Sequence, residues 1–195
     1  MKLKLLVAMS SLLYLSQSCE AAQTGQTVLQ ITSQPIASLP ELSNVQVITP
    51  EAAQTLSTTQ TKVLSTAAIS AATVMSGGWG NNGGGPTIYS KNYYYGLTLY
   101  PSGVVPANAT ITNVSWSYGV SSRPTGFQAI LCNYNNGGAL LCGDITSWGS
   151  GATSYFNGYS AATPMVYYFA VNGTGTLSPY VFGMNDSVSV TWTAP

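Results

Sequence analysis

The chain has 195 residues, 45% hydrophobic and 11% aromatic, but only five basic and five acidic side chains, no histidine and a formal net charge of zero. So few cations cannot supply the phosphate contacts that nucleic-acid binding needs, and without histidine there is no Ser-His-Asp triad, Cys-His pair or His-ligated zinc site. The 20 Gly and 13 Tyr, among abundant Ser, Thr and Asn, suit turn-rich β-structure better than helix.

Residues 1–18 read as a secretion signal, with Lys2 and Lys4 ahead of an apolar stretch from Leu5 to Leu15 and small residues at Ser16, Ser18, Ala21 and Ala22. The apolar run is too short to span a bilayer, which takes about 20 residues. Cleavage fits after Ser18 or after Ala21. The alternative is a lipoprotein acylated on Cys19, which would place the protein at a membrane, but Leu15-Ser16-Gln17-Ser18 matches that pattern poorly. Cleavage after Ser18 leaves Lys62, Lys91 and Arg123 against Glu20, Glu41, Glu51, Asp144 and Asp186, a formal charge of minus two.

Residues 19–76 form a Thr/Gln/Ala-rich arm whose aromatic content is nil. Val28-Leu29-Gln30-Ile31 and Val45-Gln46-Val47-Ile48 have the character of short strands, broken by Pro35, Pro40 and Pro50. Thr49-Pro50-Glu51 is a helix start, and Ala53, Leu56, Val63, Ala67 and Val74 give a thin apolar stripe, so one helix is expected over 50–74. The arm reads either as a spacer or as a segment that docks on a partner.

Residues 77–195 hold all four Trp and twelve of the Tyr, the side chains a core requires. The opening Gly77-Gly78-Trp79-Gly80-Asn81-Asn82-Gly83-Gly84-Gly85-Pro86 lacks the Lys-Ser/Thr of a phosphate loop and is expected to be a flexible connector. Period-two alternation then places Tyr93, Tyr95, Leu97 and Leu99 on one face, followed by Val114, Trp116, Tyr118 and Val120. Further on, Met165, Tyr167, Phe169 and Val171 share a face, as do Val188, Val190 and Trp192. Cys132 and Cys142 flank Asn135-Asn136-Gly137-Gly138, a hairpin signal, and export would join them in a disulfide. With turns at Pro124-Thr125-Gly126, Asn157-Gly158, Asn172-Gly173 and Asn185-Asp186, the expected fold is all-β: an antiparallel sandwich of about seven strands.

Groups for catalysis are scarce. Asp144 and Asp186 are the only carboxylates of residues 77–195, and both read as strand-end or turn residues. No metal ligand set, cofactor motif or activated serine is present, so the expectation is a protein that is not an enzyme and carries no cofactor. Tyr93-Tyr94-Tyr95 and Tyr167-Tyr168 put rings on both faces of their strands. Either the opposing sheet and the arm cover them, or these rings, with Trp79 and Trp148, contact a protein partner or stack on sugars.

The ordered series Val114-Ser115-Trp116-Ser117-Tyr118, Pro124-Thr125-Gly126, Leu131-Cys132, Cys142-Gly143-Asp144-Ile145-Thr146, Gly151-Ala152-Thr153, Phe156-Asn157-Gly158 and Ala162-Thr163-Pro164 resembles the flagellar protein FlhE family of Gram-negative bacteria. So do Val171-Asn172-Gly173-Thr174-Gly175-Thr176-Leu177-Ser178-Pro179 and the closing Asp186-Ser187-Val188-Ser189-Val190, while Trp79 aligns with an early family tryptophan. The resemblance covers about residues 78–192 and none of the arm. It implies a periplasmic, disulfide-containing, non-enzymatic β-domain that serves flagellar export through protein contacts, as a chaperone-like or proton-leak-limiting accessory. The alternative is a secreted or outer-surface appendage subunit, or a carbohydrate-binding module using exposed tyrosines. A surface so low in charge also favours self-association.

Overall fold

Strand alternation in this chain lays out two facing sheets. The computed structural model describes residues 30–38, 42, 45–51, 74–134 and 140–195. The secretion signal over 1–18, Cys19, the Asn135–Gly138 loop and all but the ends of the helix expected over 50–74 lie outside these residues. In chain order the strands are β1 (Gln30–Pro35), β2 (Gln46–Val47), β3 (Met75–Gly84), β4 (Ile88–Ser90), β5 (Tyr93–Leu99), β6 (Thr110–Ser117), β7 (Phe127–Tyr134), β8 (Leu140–Asp144), β9 (Ser150–Thr153), β10 (Met165–Val171), β11 (Thr176–Val181) and β12 (Asn185–Ala194). They build a six-stranded sheet in the order β1-β5-β10-β7-β8-β2, a four-stranded sheet β3-β12-β6-β9 and a two-stranded ribbon β11-β4.

The all-β sandwich expected from the alternation is present, with more strands than the seven legible in it. The main core lies between the two larger sheets. Leu97 and Leu99 from β5, Tyr167 and Phe169 from β10 and Leu131 from β7 meet Val114 and Trp116 from β6 and Val190 and Trp192 from β12. A second, smaller cluster lies on the opposite face of the six-stranded sheet, where Tyr94, Ile130, Val166 and Tyr168 pack with Leu42, Ile36 and Val45 of the arm. Every residue of β10 is buried, because this strand is covered on both faces. A continuous apolar run is what such a strand requires.

Segments of the arm edge this sheet. β1 pairs antiparallel with β5, and β2 pairs parallel with β8. Ile48 then enters the main core, and the Glu51 amide bonds the Ala152 carbonyl of β9 at 2.9 Å, so residues 45–51 reach from one sheet to the other. The Cys132–Cys142 disulfide joins residues directly opposite each other across β7 and β8.

The Gly-rich segment expected as a flexible connector is instead β3, paired with β12 along ten residues. Its glycines admit neighbours a side chain would displace. Gly77 stands opposite Trp192, and a Cβ there would lie 2.5 Å from the indole ring. Trp79 is held in the core by an indole N–H bond to the Ala161 carbonyl at 2.8 Å.

Candidate functional site

The rings singled out in the sequence separate by burial. Trp79, Tyr95 and Tyr167 belong to the main core, and Tyr94 and Tyr168 to the cluster beneath the arm. All five are buried, none more than 9% exposed. Tyr93 and Trp148 are exposed. Among the described residues neither makes a contact with another aromatic ring.

A larger exposed apolar row forms elsewhere, on β4, β11 and the segment after β11. Tyr89 is 50% exposed, Tyr180 43%, Phe182 54% and Met184 57%. Tyr180, Phe182 and Met184 are two residues apart in extended chain, which directs them to one side, and Tyr89 meets Tyr180 edge-on at 5.0 Å between ring centroids. Sequence reasoning missed the row, although its signal, the alternation Tyr180-Val181-Phe182-Gly183-Met184, was there. A cavity of about 460 Å³ adjoins Tyr89, walled by Thr32 and Ser33 of β1, by Gly85, Pro86 and Thr87, and by Tyr95.

The segment presenting Phe182 and Met184 is fixed from both sides. Its carbonyl at Phe182 accepts from the Ser121 amide at 2.9 Å, and the Phe182 amide donates to the Ser121 hydroxyl at 2.9 Å. The Met184 amide bonds the Gly119 carbonyl at 2.8 Å, and the Gly85 amide bonds the Met184 carbonyl. Asp186 closes this framework from inside: its Oδ1 accepts from the Gly119 amide at 3.1 Å. The turn role expected for Asp186 is corrected here. The residue lies in β12 with 0% exposure, and its Oδ2 has no hydrogen-bond partner among the described residues. A Cβ on Gly85 would stand 2.5 Å from that oxygen, so backbone glycine walls the carboxyl. Burial pushes the Asp186 carboxyl up to about 7, opposed in part by the Gly119 amide.

Asp144 does hold a turn, its Oδ1 accepting from the Thr146 amide at 2.7 Å. Arg123 lies over the Tyr118 ring at 5.1 Å and donates to the Thr146 carbonyl at 3.2 Å. Burial raises the Tyr118 hydroxyl to about 12 despite the nearby guanidinium, so it acts as a hydrogen-bond donor to the Ile145 and Thr146 carbonyls and not as a base. Among the described residues no three His, Cys, Asp or Glu side chains group as metal ligands. What the surface offers is an apolar, rigidly mounted contact row.

No curated protein matches the chain. A solved crystal structure of FlhE aligns with a TM-score of 0.52 at 24% identity, covering 60% of this chain and 96% of that one, which is a likeness of fold. The sequence model of the flagellar protein FlhE family matches residues 85–193, more than half of the chain, from β4 into β12. The chain therefore belongs to the FlhE family of flagellar proteins.

Proposed function

We propose that the protein is exported, resides in the periplasm and serves the flagellar apparatus without catalysis, by docking on a protein component of that apparatus through Tyr89, Tyr180, Phe182 and Met184. The observation that carries this reading is the row itself: exposed Tyr, Phe and Met on one rigid segment of a family member whose buried rings are otherwise committed to packing. Aromatic side chains and Met are enriched in protein contact surfaces, where they bury large area at low conformational cost. The Cys132–Cys142 disulfide supports an oxidising compartment, since such bonds persist outside the reducing cytoplasm.

The test is complementation. In a flagellated host lacking its own copy of the gene, a Tyr180→Ser/Phe182→Ser variant is expected to accumulate in the periplasmic fraction, to melt near the parent temperature and to fail to restore the flagellar phenotype. Full restoration by that variant overturns the docking role of the row. Recovery of the parent protein in the cytoplasm with both cysteines reduced overturns the compartment.

A further inference from the structure

We propose a second site, a carboxylate-binding cleft built around Lys91 at the end of the sandwich. The cleft encloses about 370 Å³ between the turn that carries Lys91, the segment Ser122–Thr125 and the first residues of β11. That volume falls in the range of small-molecule and peptide-end sites. Lys91 is placed by its backbone and by its stem. Its amide bonds the Gly175 carbonyl at 2.9 Å, and the side chain runs over Gly173, where a Cβ would come within 3.1 Å of Lys91 Cδ. Gly173 has φ +120°, so glycine there serves both the backbone and the seat of the lysine.

The chemistry of the walls defines the ligand. Lys91 pairs with no carboxylate among the described residues, leaving an ammonium without a counter-charge. Ser122, Thr125, Thr176 and Ser178 line the same cleft, and their hydroxyls bond no other described residue. One cation with several hydroxyl donors matches a monoanionic oxyanion. Phosphate would call for more positive charge, and Arg123, the other cation of the described residues, is turned onto Tyr118 and Phe127 and does not line the cleft. Leu177, Pro124, Pro179 and Val181 complete the lining with apolar surface, suited to the hydrocarbon or peptide body behind a carboxylate. Pro124-Thr125 and the segment Thr176–Pro179 meet here. The site does not depend on the docking row.

A carboxylate of this kind comes from a polypeptide C-terminus or from a free organic acid, and one titration separates the two. The protein, purified as the cell processes it, is followed by amide NMR shifts at Thr174–Ser178 while N-acetyl-glycyl-leucine, its C-terminal amide, acetate or inorganic phosphate is added to about 10 mM. Saturable shifts are expected with the free acid, with the amide at least about tenfold weaker, as the loss of a charge-assisted bond dictates. Tighter binding of the peptide than of acetate assigns a chain terminus, and equal binding a free acid. Lys91→Gln is expected to weaken the acid about tenfold or more with an unchanged melting temperature, and Thr176→Val to weaken it less. The proposal is overturned by the absence of saturable shifts with either carboxylate, by unchanged affinity in Lys91→Gln and Thr176→Val, or by phosphate binding more tightly than both.

Discussion

Asp186 ties the pH of the medium to the stability of this fold. Its carboxyl is buried, with one oxygen bonded by the Gly119 amide and the other facing the Gly85 backbone without a donor. The proton is therefore held to about pH 7 in the folded chain, against 3.8 for an ordinary aspartate. A raised carboxyl pKa means that the folded state binds the proton more tightly than the unfolded one. Stability is then full below about pH 4, falls as the pH rises through 7 and is level above that. The full shift corresponds to about 4 kcal/mol as an upper figure. Histidine, which would titrate in the same window, does not occur in the chain, so the effect is not masked by it. Urea melts at pH 5.5 and 8.5 are expected to show a lower midpoint at the higher pH, and Asp186→Asn, which keeps the acceptor for Gly119, is expected to shrink that difference strongly. An equal pH dependence in parent and variant would remove Asp186 as its source.

At the scale of the element, β3 shows how a strand forms from a glycine-rich sequence with Trp79 as its one large buried side chain. Two cross-strand pairs set a glycine opposite a tryptophan, Gly77 with Trp192 and Gly151 with Trp116. A Cβ would meet the indole at 2.5 Å in the first pair and 2.7 Å in the second. The ring covers the bare backbone opposite, which replaces the packing a side chain at the glycine would have provided. Gly77→Ala should therefore cost about 1–3 kcal/mol by overpacking, whereas Gly84→Ala, with nothing within 4 Å of its Cβ, should be near neutral; thermal melts of the two variants decide it, and equal melting temperatures would refute the argument. The same strand marks where sequence reading stops. Large residues at period two revealed β5, β6, β10 and β12, because each carries its own half of the core. β3 contributes only Trp79 to it, and its Gly77 is matched to Trp192, far along the chain. Asp186 was misread for a related reason: Asn185-Asp186 has the composition of a turn, and only the approach of Gly85 and Gly119 makes it interior. The aromatic row was legible as alternation, but its exposure depends on no sheet covering that side of β11.

For the whole molecule, the scarcity of charge and the layout of the sheets have one consequence in common. The six-stranded sheet has apolar residues on both faces, so the four-stranded sheet can bury only one of them. The other is closed by the arm, which pairs at both edges of the sheet through β1 and β2 and lays Leu42, 2% exposed, against the face between them. If the arm is loosened, Tyr94, Ile130, Val166 and Tyr168 lose their cover, and a chain with so few charges has little repulsion to keep copies apart. Leu42→Asp sets a charge into that contact. A buried Leu→Ala change alone costs about 2–5 kcal/mol, and the carboxylate adds its desolvation. The variant is expected to keep the β-sheet circular dichroism of the main sandwich, to bind a hydrophobic dye such as anilinonaphthalene sulfonate more strongly than the parent, and to elute as larger species in size-exclusion chromatography. Dye binding and elution unchanged from the parent would show that the second face is stable without the arm, and that the arm does not keep copies of this sparsely charged sandwich apart.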